Sequence, residues 1–517
     1  MQATANRIPR RRSLAFFAAL AMLLVAASYV VILLLAAACV YLPWLLFTHT
    51  NSGGSQSLAV LVGGVIIAAS MVWSVLPRRD KFTVRGLRLE RQMHPSLFDE
   101  IDNVAAALQE PVPREVYLLP DANAWVANRG GFLGIGSRRI LGVGLPLLGA
   151  LNISQFRAIL AHEFAHYYGG DTKLGPWLRR AQLAMIRTFQ NMGAVGKAMR
   201  VAVMQILYAA VFGILKWYWL FFLRVINGVS RRQEFRADEL ACLVGGKQAF
   251  IGGLRLVHGA ALAWPAFCKQ ELAPMVNAGF LPSISDGFAQ FLKAPNISKQ
   301  VDLRVEAETN DGKGDPYDSH PPLRDRIAAA EAFAGENHSE STVPASTLLQ
   351  NSGVNEAAFL HSAFPETPRE LKSSSWEEQA TVVVIPSWER FVSENGELIR
   401  GATVGGLFES LATIPQIAQK LRDPKGMLLT PEQRVQRART LLGAALGLSL
   451  IKTGWKLHSR PGELYLINET ERLDPFKLVL ELSDGALSNE NWVEQCRAFG
   501  IESAPLFNGQ PAMTGVV

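Results

Sequence analysis

Asn152-Ile-Ser-Gln-Phe-Arg-Ala-Ile-Leu-Ala-His-Glu-Phe-Ala-His166 is the stretch on which the reading of this chain turns. Phe156, Ile159, Leu160 and Phe164 recur at helical spacing, and Ser154 is positioned to cap the first turn, so an amphipathic helix is expected here. Its last turn carries His162-Glu163-x-x-His166. Residues four apart on a helix project from one face, so both imidazoles can reach a single Zn2+, with Glu163 beside the water that completes the coordination. Zinc lowers the pKa of such a water to about 7, and a neighbouring carboxylate can then take its proton near neutrality. The spacing predicts one zinc per chain, with Glu163 as general base.

Two imidazoles leave a tetrahedral catalytic site one protein ligand short, because such sites commonly have three protein ligands and a water. Ser230-Arg-Arg-Gln-Glu-Phe-Arg-Ala-Asp-Glu-Leu-Ala241 offers Glu234 and Asp238 at i and i+4 on what reads as another helix. Glu234 is the candidate third ligand, and Asp238 a candidate acceptor for the outer N–H of a ligand histidine. By its residues alone this segment reads as a solvated charged face.

A resemblance turns it toward the metal. Together the two segments resemble the HtpX and CAAX-prenyl-protease type of integral-membrane zinc metallopeptidases, in which a His-Glu-x-x-His helix is followed, many residues later, by a Glu-x-x-x-Asp helix whose Glu is the third ligand. Residues 162–166 and 234–238 fit both halves in that order. Asn123-Ala124 ahead of the first helix, Gly170-Asp171 after it, and Asp318-Ser-His-Pro-Pro-Leu-Arg-Asp-Arg-Ile327 extend the match over roughly residues 85–335. The resemblance implies a mainly α, membrane-anchored, gluzincin-type metallopeptidase with a small β-sheet, to which Glu115–Leu119 and Arg139–Val143 would contribute strands. It implies Glu234 as a metal ligand, and His320 in the cleft as a donor to the oxyanion of a tetrahedral intermediate, with Arg326 as its partner. Asn123 and Ala124 would line the substrate cleft, although Trp125 departs from the Phe that the family has next. Asp171 is either an acceptor behind a ligand or a helix-end turn residue. An edge strand near the metal would pair with an extended peptide through its backbone, giving broad sequence tolerance.

The implied substrates are proteins or peptides, above all misfolded or damaged membrane proteins. Prenylated-peptide processing is an alternative, but that relative uses many membrane helices and only two spans are evident here. A zinc-bound, catalytically silent membrane scaffold is another, but it would have no need of Glu163.

Of the 517 residues, 49% are hydrophobic, high for an enzyme with this many charges. From Ser13 to Phe47 the chain is almost unbroken Leu, Ala, Val, Phe and Ile, and Leu58–Leu76 is a second uncharged run, each long enough to cross a bilayer. They read as a transmembrane hairpin within residues 1–80, with spans of about 14–45 and 58–76. Arg7, Arg10, Arg11 and Arg12 precede it and Arg78, Arg79, Lys81, Arg85 and Arg88 follow it, so positive charge places both ends, and the catalytic domain, in the cytoplasm. The resemblance makes the membrane a bacterial inner (plasma) membrane. Ala36-Ala37-Ala38-Cys39 resembles a lipoprotein cleavage site, but the apolar stretch is too long for a signal core. The net charge of +6, clustered beside the apolar runs, points to the lipid surface and away from nucleic acid, and four cysteines without paired spacing fit a reducing compartment.

Residues 81–337 read as the metallopeptidase domain, with an apolar segment at about 183–227. A single crossing there would put Glu234 and His162 on opposite sides of the bilayer, so the segment must form a hairpin, lie in the interface where Lys216 and the aromatic residues are comfortable, or be an ordinary buried helix. Residues 338–375, rich in Ser, Glu, Pro and Asn, read as a linker. Residues 376–517 read as an accessory α/β domain: Thr381–Ile385, Glu463–Asn468 and Phe476–Leu482 as strands, and a long helix from Thr430, where Gln433 completes a capping box and Pro431 takes the first position. No phosphate-binding loop appears, which excludes a built-in ATP-driven motor.

Overall fold

The computed structural model describes residues 14–49, 55–76, 83–130, 136–167, 175–198, 202–311, 315, 317, 318, 320–334, 340–350, 352–368, 370–421, 428–469 and 471–509. Arg7 to Arg12, Arg78, Arg79, Lys81 and Asp171 lie outside them. The chain is mainly helical with small sheets, and it divides into two compact units: residues 1–261 with 302–350, and residues 262–301 with 351–517.

The first unit begins with two apolar helices, α1 (Leu14–His49) and α2 (Ser55–Val75). They approach closely, for a Cβ added at Gly64 would fall 2.1 Å from the Cys39 carbonyl oxygen. Two later helices, here termed α6 (Gly175–Ala198) and α7 (Ala202–Gly245), pack on them. Ile32, Ile67, Met71, Met185, Leu215 and Phe222 share the resulting core. Tyr218 Oη donates to the Leu24 carbonyl at 2.7 Å and Asn191 Nδ2 to Ser74 Oγ at 2.8 Å, so polar groups inside the bundle tie its helices together. The outside of this bundle is also apolar: Leu23, Trp73, Ile206 and Trp217 are exposed. Met22–His49, Leu58–Val75 and Gln205–Gly245 are long and apolar enough to cross a membrane. The apolar segment at 183–227 is thus the later part of one helix followed by the first part of the next.

Between these helix pairs lies a four-stranded sheet and the helices that pack on it. The strands are β1 (Leu87–Leu89), β2 (Glu115–Leu119), β3 (Ala124–Arg129) and β4 (Arg138–Gly144), in the order β1-β2-β4-β3, with β2 and β4 parallel and the outer pairs antiparallel. Apart from the half-buried Leu87, their Leu, Val and Ile side chains are buried, as expected of a covered sheet. Helix α3 (Pro95–Ala107) follows β1, and α4 (Leu145–Ala150) leads from β4 into α5 (Ile153–Ala165). Asn152, not Ser154, caps α5: its side chain accepts from the Gln155 N–H at 2.8 Å while Gln155 Oε1 accepts from the Asn152 N–H at 3.0 Å. Ser154 instead sits inside the first turn, its hydroxyl accepting from the Ser341 N–H at 2.8 Å.

In the second unit, the helix Pro431–Lys452 is the spine, burying Leu441, Leu442, Leu446 and Leu450 with Trp388, Ile417 and Trp492. It starts at the Thr430–Gln433 capping box. Glu463–Asn468 is the central strand of a three-stranded antiparallel sheet. The other two expected strands are helical. Residues Ala380–Val384 form a π-turn leading into the helix Ile385–Asn395, and Phe476–Leu482 lies in the helix Pro475–Ser483. Asp474 caps the latter, accepting from the Phe476 and Lys477 N–H groups at 2.9 and 3.1 Å, with Pro475 at the first helical position. That start signal outweighs the β propensity of the apolar run behind it.

Candidate metal centre

Helices α5 and α7 supply the centre. They meet closely because a Cβ at Gly245, the last residue of α7, would lie 2.5 Å from Ala158 Cα; only glycine lets the two backbones approach so far. One turn after Ala158 comes His162, then His166 at the end of the same helix, and both turn toward α7. Facing them is Glu234: the ligand atoms of His162, His166 and Glu234 all lie within 4.8 Å of one another. His162 Nε2 is 3.5 Å from Glu234 Oε2, and His166 Nε2 is 3.5 Å from Glu234 Oε1.

Asp238, one turn beyond Glu234, is 2% exposed and lies 3.0 Å from His162 Nδ1. It fixes that ring with Nε2 toward Glu234 and His166. Phe250 stacks on the same ring, centroids 6.1 Å apart, a support that sequence spacing gave no means of finding. Arg326 is buried and grips Asp238 with two donors, at 2.6 and 2.9 Å, and its Nη1 is 3.7 Å from Glu234 Oε2. Arg326 therefore serves Asp238 rather than His320, which corrects the partnership expected from sequence; a buried carboxylate is the stronger attractor for a guanidinium.

His320 comes to the centre by its own route. Its Nδ1 lies 3.2 Å from Glu234 Oε2 while most of the side chain faces solvent. The loop before it is tied to α7, with Asn227 Nδ2 donating to the Tyr317 carbonyl at 2.6 Å and Arg231 Nη1 to the Asp318 carbonyl at 3.0 Å. Asp318 in turn accepts from the His320 N–H at 3.0 Å. Neither anchor on α7 was apparent from sequence, because the link spans about 90 residues and has no periodic signature.

The residues present suit a divalent cation. Two imidazoles and a carboxylate are a zinc donor set. Glu234 Oε2 is buried and, despite the nearby His320 nitrogen, is left without an aligned hydrogen bond among the described residues. The field also favours positive charge there: burial opposes protonation of His162, yet Asp238 and Glu234 outweigh it and hold the pKa at about 9. His166, buried and next to His162, is pushed down to about 4, so its nitrogen lone pair is available at neutral pH. Burial raises Glu163 to about 7, the range in which a carboxylate exchanges protons readily at neutral pH.

A cleft of about 510 Å3 opens over these groups, lined among others by Asn123, Ala124, His162, Glu163, His320 and Arg326. The edge strand β3 thus begins at the cleft wall.

Residues 91–334 match the family described as "Peptidase family M48". A "Protease HtpX homolog" of Chlorobium phaeobacteroides is 26% identical over 305 residues, covering 54% of this chain and 84% of the relative. "Protease HtpX" of Idiomarina loihiensis is 28% identical over 179 residues, 32% of this chain and 58% of the relative. "Protease HtpX homolog 2" of Methanosarcina mazei is 24% identical over 271 residues, 51% and 88%. The family match spans both helices that build the centre, and residues 91–334 are accordingly an HtpX-like peptidase domain of family M48.

Proposed function

We propose that this chain is a membrane-anchored, zinc-dependent endopeptidase with its active site on the cytoplasmic face, held by His162, His166 and Glu234. The observation that carries the reading is the convergence of these three side chains, with Glu234 68 residues beyond His166 in the sequence, on one point beside Glu163 in an open cleft. A zinc ion held by these residues would supply Lewis acidity and would lower the pKa of a water. Glu163 takes the proton of the attacking water and delivers it to the leaving amine. His320 donates to the oxyanion, its ring brought to the centre by the Asn227 and Arg231 anchors. Asp238, itself held by Arg326, keeps His162 in the ligating tautomer. Asn123 and Ala124 bind the substrate backbone at the mouth of the cleft. Because the backbone is the handle, sequence demands on the substrate are loose, which suits clearance of misfolded membrane proteins. Asp171 and residues 376–517 receive no role.

The apolar exteriors of α1, α2 and α7 support anchoring in lipid. The decisive comparison is wild type against Glu163→Gln in detergent, with zinc content and casein cleavage measured on the same samples. Both proteins should hold one zinc, and the variant should cleave at least ~10²-fold more slowly. Unchanged turnover would remove Glu163 as base, and absence of zinc from wild type would remove the centre.

A further inference from the structure

Strand β3 is one of the two edge strands of its sheet among the described residues, and its pairing shows which groups face outward. The Gly144 N–H donates to the Asn123 carbonyl at 2.8 Å, and Trp125 pairs with Gly142 and Ala127 with Ile140, so residues 123, 125 and 127 turn toward β4. Residues 124, 126 and 128 therefore turn their N–H and C=O groups away from β4, to the outer edge of the sheet. Among the described residues, no hydrogen bond occupies the outward groups of Ala124, at the cleft wall. Two residues further along, the outward carbonyl of Val126 is already taken: Tyr167 Oη donates to it at 2.8 Å. Tyr167 immediately follows the ligand His166, and it is held in place from behind, for the Arg139 guanidinium lies 4.5 Å over its ring while Arg139 Nη1 binds Glu110 at 2.8 Å.

We infer that Tyr167 is a register stop: it lets a substrate strand pair with β3 at Ala124 and denies it the next acceptor, so that the peptide leaves the sheet edge after one pairing step. The inference rests on the peptidase reading and adds to it a specificity-determining residue. A substrate N–H placed opposite Val126 finds no acceptor, so proline or an N-alkylated residue is tolerated two positions from the residue that pairs with Ala124. Tyr167 sets how far along β3 a substrate is held, and with it how short a cleavable peptide can be.

The test uses the full-length, zinc-loaded Glu163→Gln protein in detergent, with and without Tyr167→Phe, which deletes the hydroxyl and keeps the ring over Arg139. The probe is a fluorescent decapeptide spanning a β-casein site, together with a set in which each backbone amide in turn is N-methylated, and Kd is read by anisotropy. With Tyr167 present, one methylation on the β3-facing side should weaken binding about fivefold, the loss of one hydrogen bond. With Phe, a second sensitive amide should appear two residues from the first, and the unmethylated peptide should bind about fivefold more tightly. Two sensitive amides already present with Tyr167 overturn the stop while leaving edge pairing intact, as does an unchanged pattern in the Phe protein. If no methylation matters in either protein, or the parent peptide does not bind, edge pairing fails and the stop fails with it.

Discussion

At the scale of single residues, the centre is organised by a carboxylate that touches no substrate. Asp238 lies 3.0 Å from His162 Nδ1 and is held from the other side by two donors of Arg326. Converting it to Asn removes the charge that favours a ligating His162 and leaves a buried guanidinium with Glu234 as its nearest carboxylate, so Arg326 would compete with the metal. We predict that Asp238→Asn weakens zinc binding roughly 10–100-fold in competition with a chelator; an unaltered affinity would remove Asp238 from the centre. In the proposed mechanism Glu163 carries the pH dependence. Burial raises its carboxyl to about 7, and only the ionised form can accept a proton, so kcat/KM should fall as pH drops through its pKa. A cation among the neighbouring ligands favours the ionised form and moves the limb downward. The acid limb of kcat/KM is therefore expected at or below about pH 7, and an activity that keeps falling as pH rises from 5 to 7 would contradict the assignment.

At the scale of elements, the candidate ligands are divided between α5 and α7, so the fit of these two helices is part of the site. Two glycines of α7 separate packing from propensity. A methyl at Gly245 meets the Ala158 backbone at 2.5 Å, whereas one at Gly228 meets nothing within 4 Å. Gly245→Ala should destabilise by roughly 1–3 kcal/mol through overpacking and weaken zinc binding by spreading the helices. Gly228→Ala should stabilise by about 0.5–1 kcal/mol through helix propensity alone. Equal shifts in Tm for the two variants would show that the helix contact does not govern the site. The same contrast explains what could be read from the sequence. The His162–His166 pair, the Thr430 capping box and the strands at 115–119 and 463–468 are local patterns, legible from their own residues. Asn152 and Ser154 are both good caps two residues apart, and the choice depends on Gln155 answering Asn152 and on Ser341 claiming Ser154. Thr381–Ile385 looked like a strand from its β-branched run, yet it packs as a helical turn, since tertiary contacts override propensity in so short a segment. Partnerships across long separations, such as Arg326 with Asp238 or Asn227 with the Tyr317 carbonyl, leave no periodic trace at all.

At the scale of the molecule, α7 joins the apolar bundle to the candidate metal centre in one rod. Its 44 residues extend about 66 Å at 1.5 Å per residue, more than twice the roughly 30 Å of a bilayer's hydrocarbon. Its first half lies in the apolar bundle with α1, α2 and α6, and Glu234 stands about 48 Å along it, beyond the reach of a hydrocarbon layer centred on that bundle. For a bundle set in a bilayer, the two histidines of α5 and Glu234 can meet only from one side, so the number of crossings between His166 and Glu234 is even. Single cysteines in a cysteine-free background test the consequence, using a membrane-impermeant maleimide on intact cells. Thr48, Arg91 and Glu239 have exposed side chains at the end of α1, ahead of α3 and just after Asp238, respectively. We predict that Thr48→Cys labels from outside, while Arg91→Cys and Glu239→Cys label only after permeabilisation. Should Arg91→Cys and Glu239→Cys respond from opposite faces, α7 would cross an odd number of times relative to α5, and no three-ligand centre could assemble within one chain.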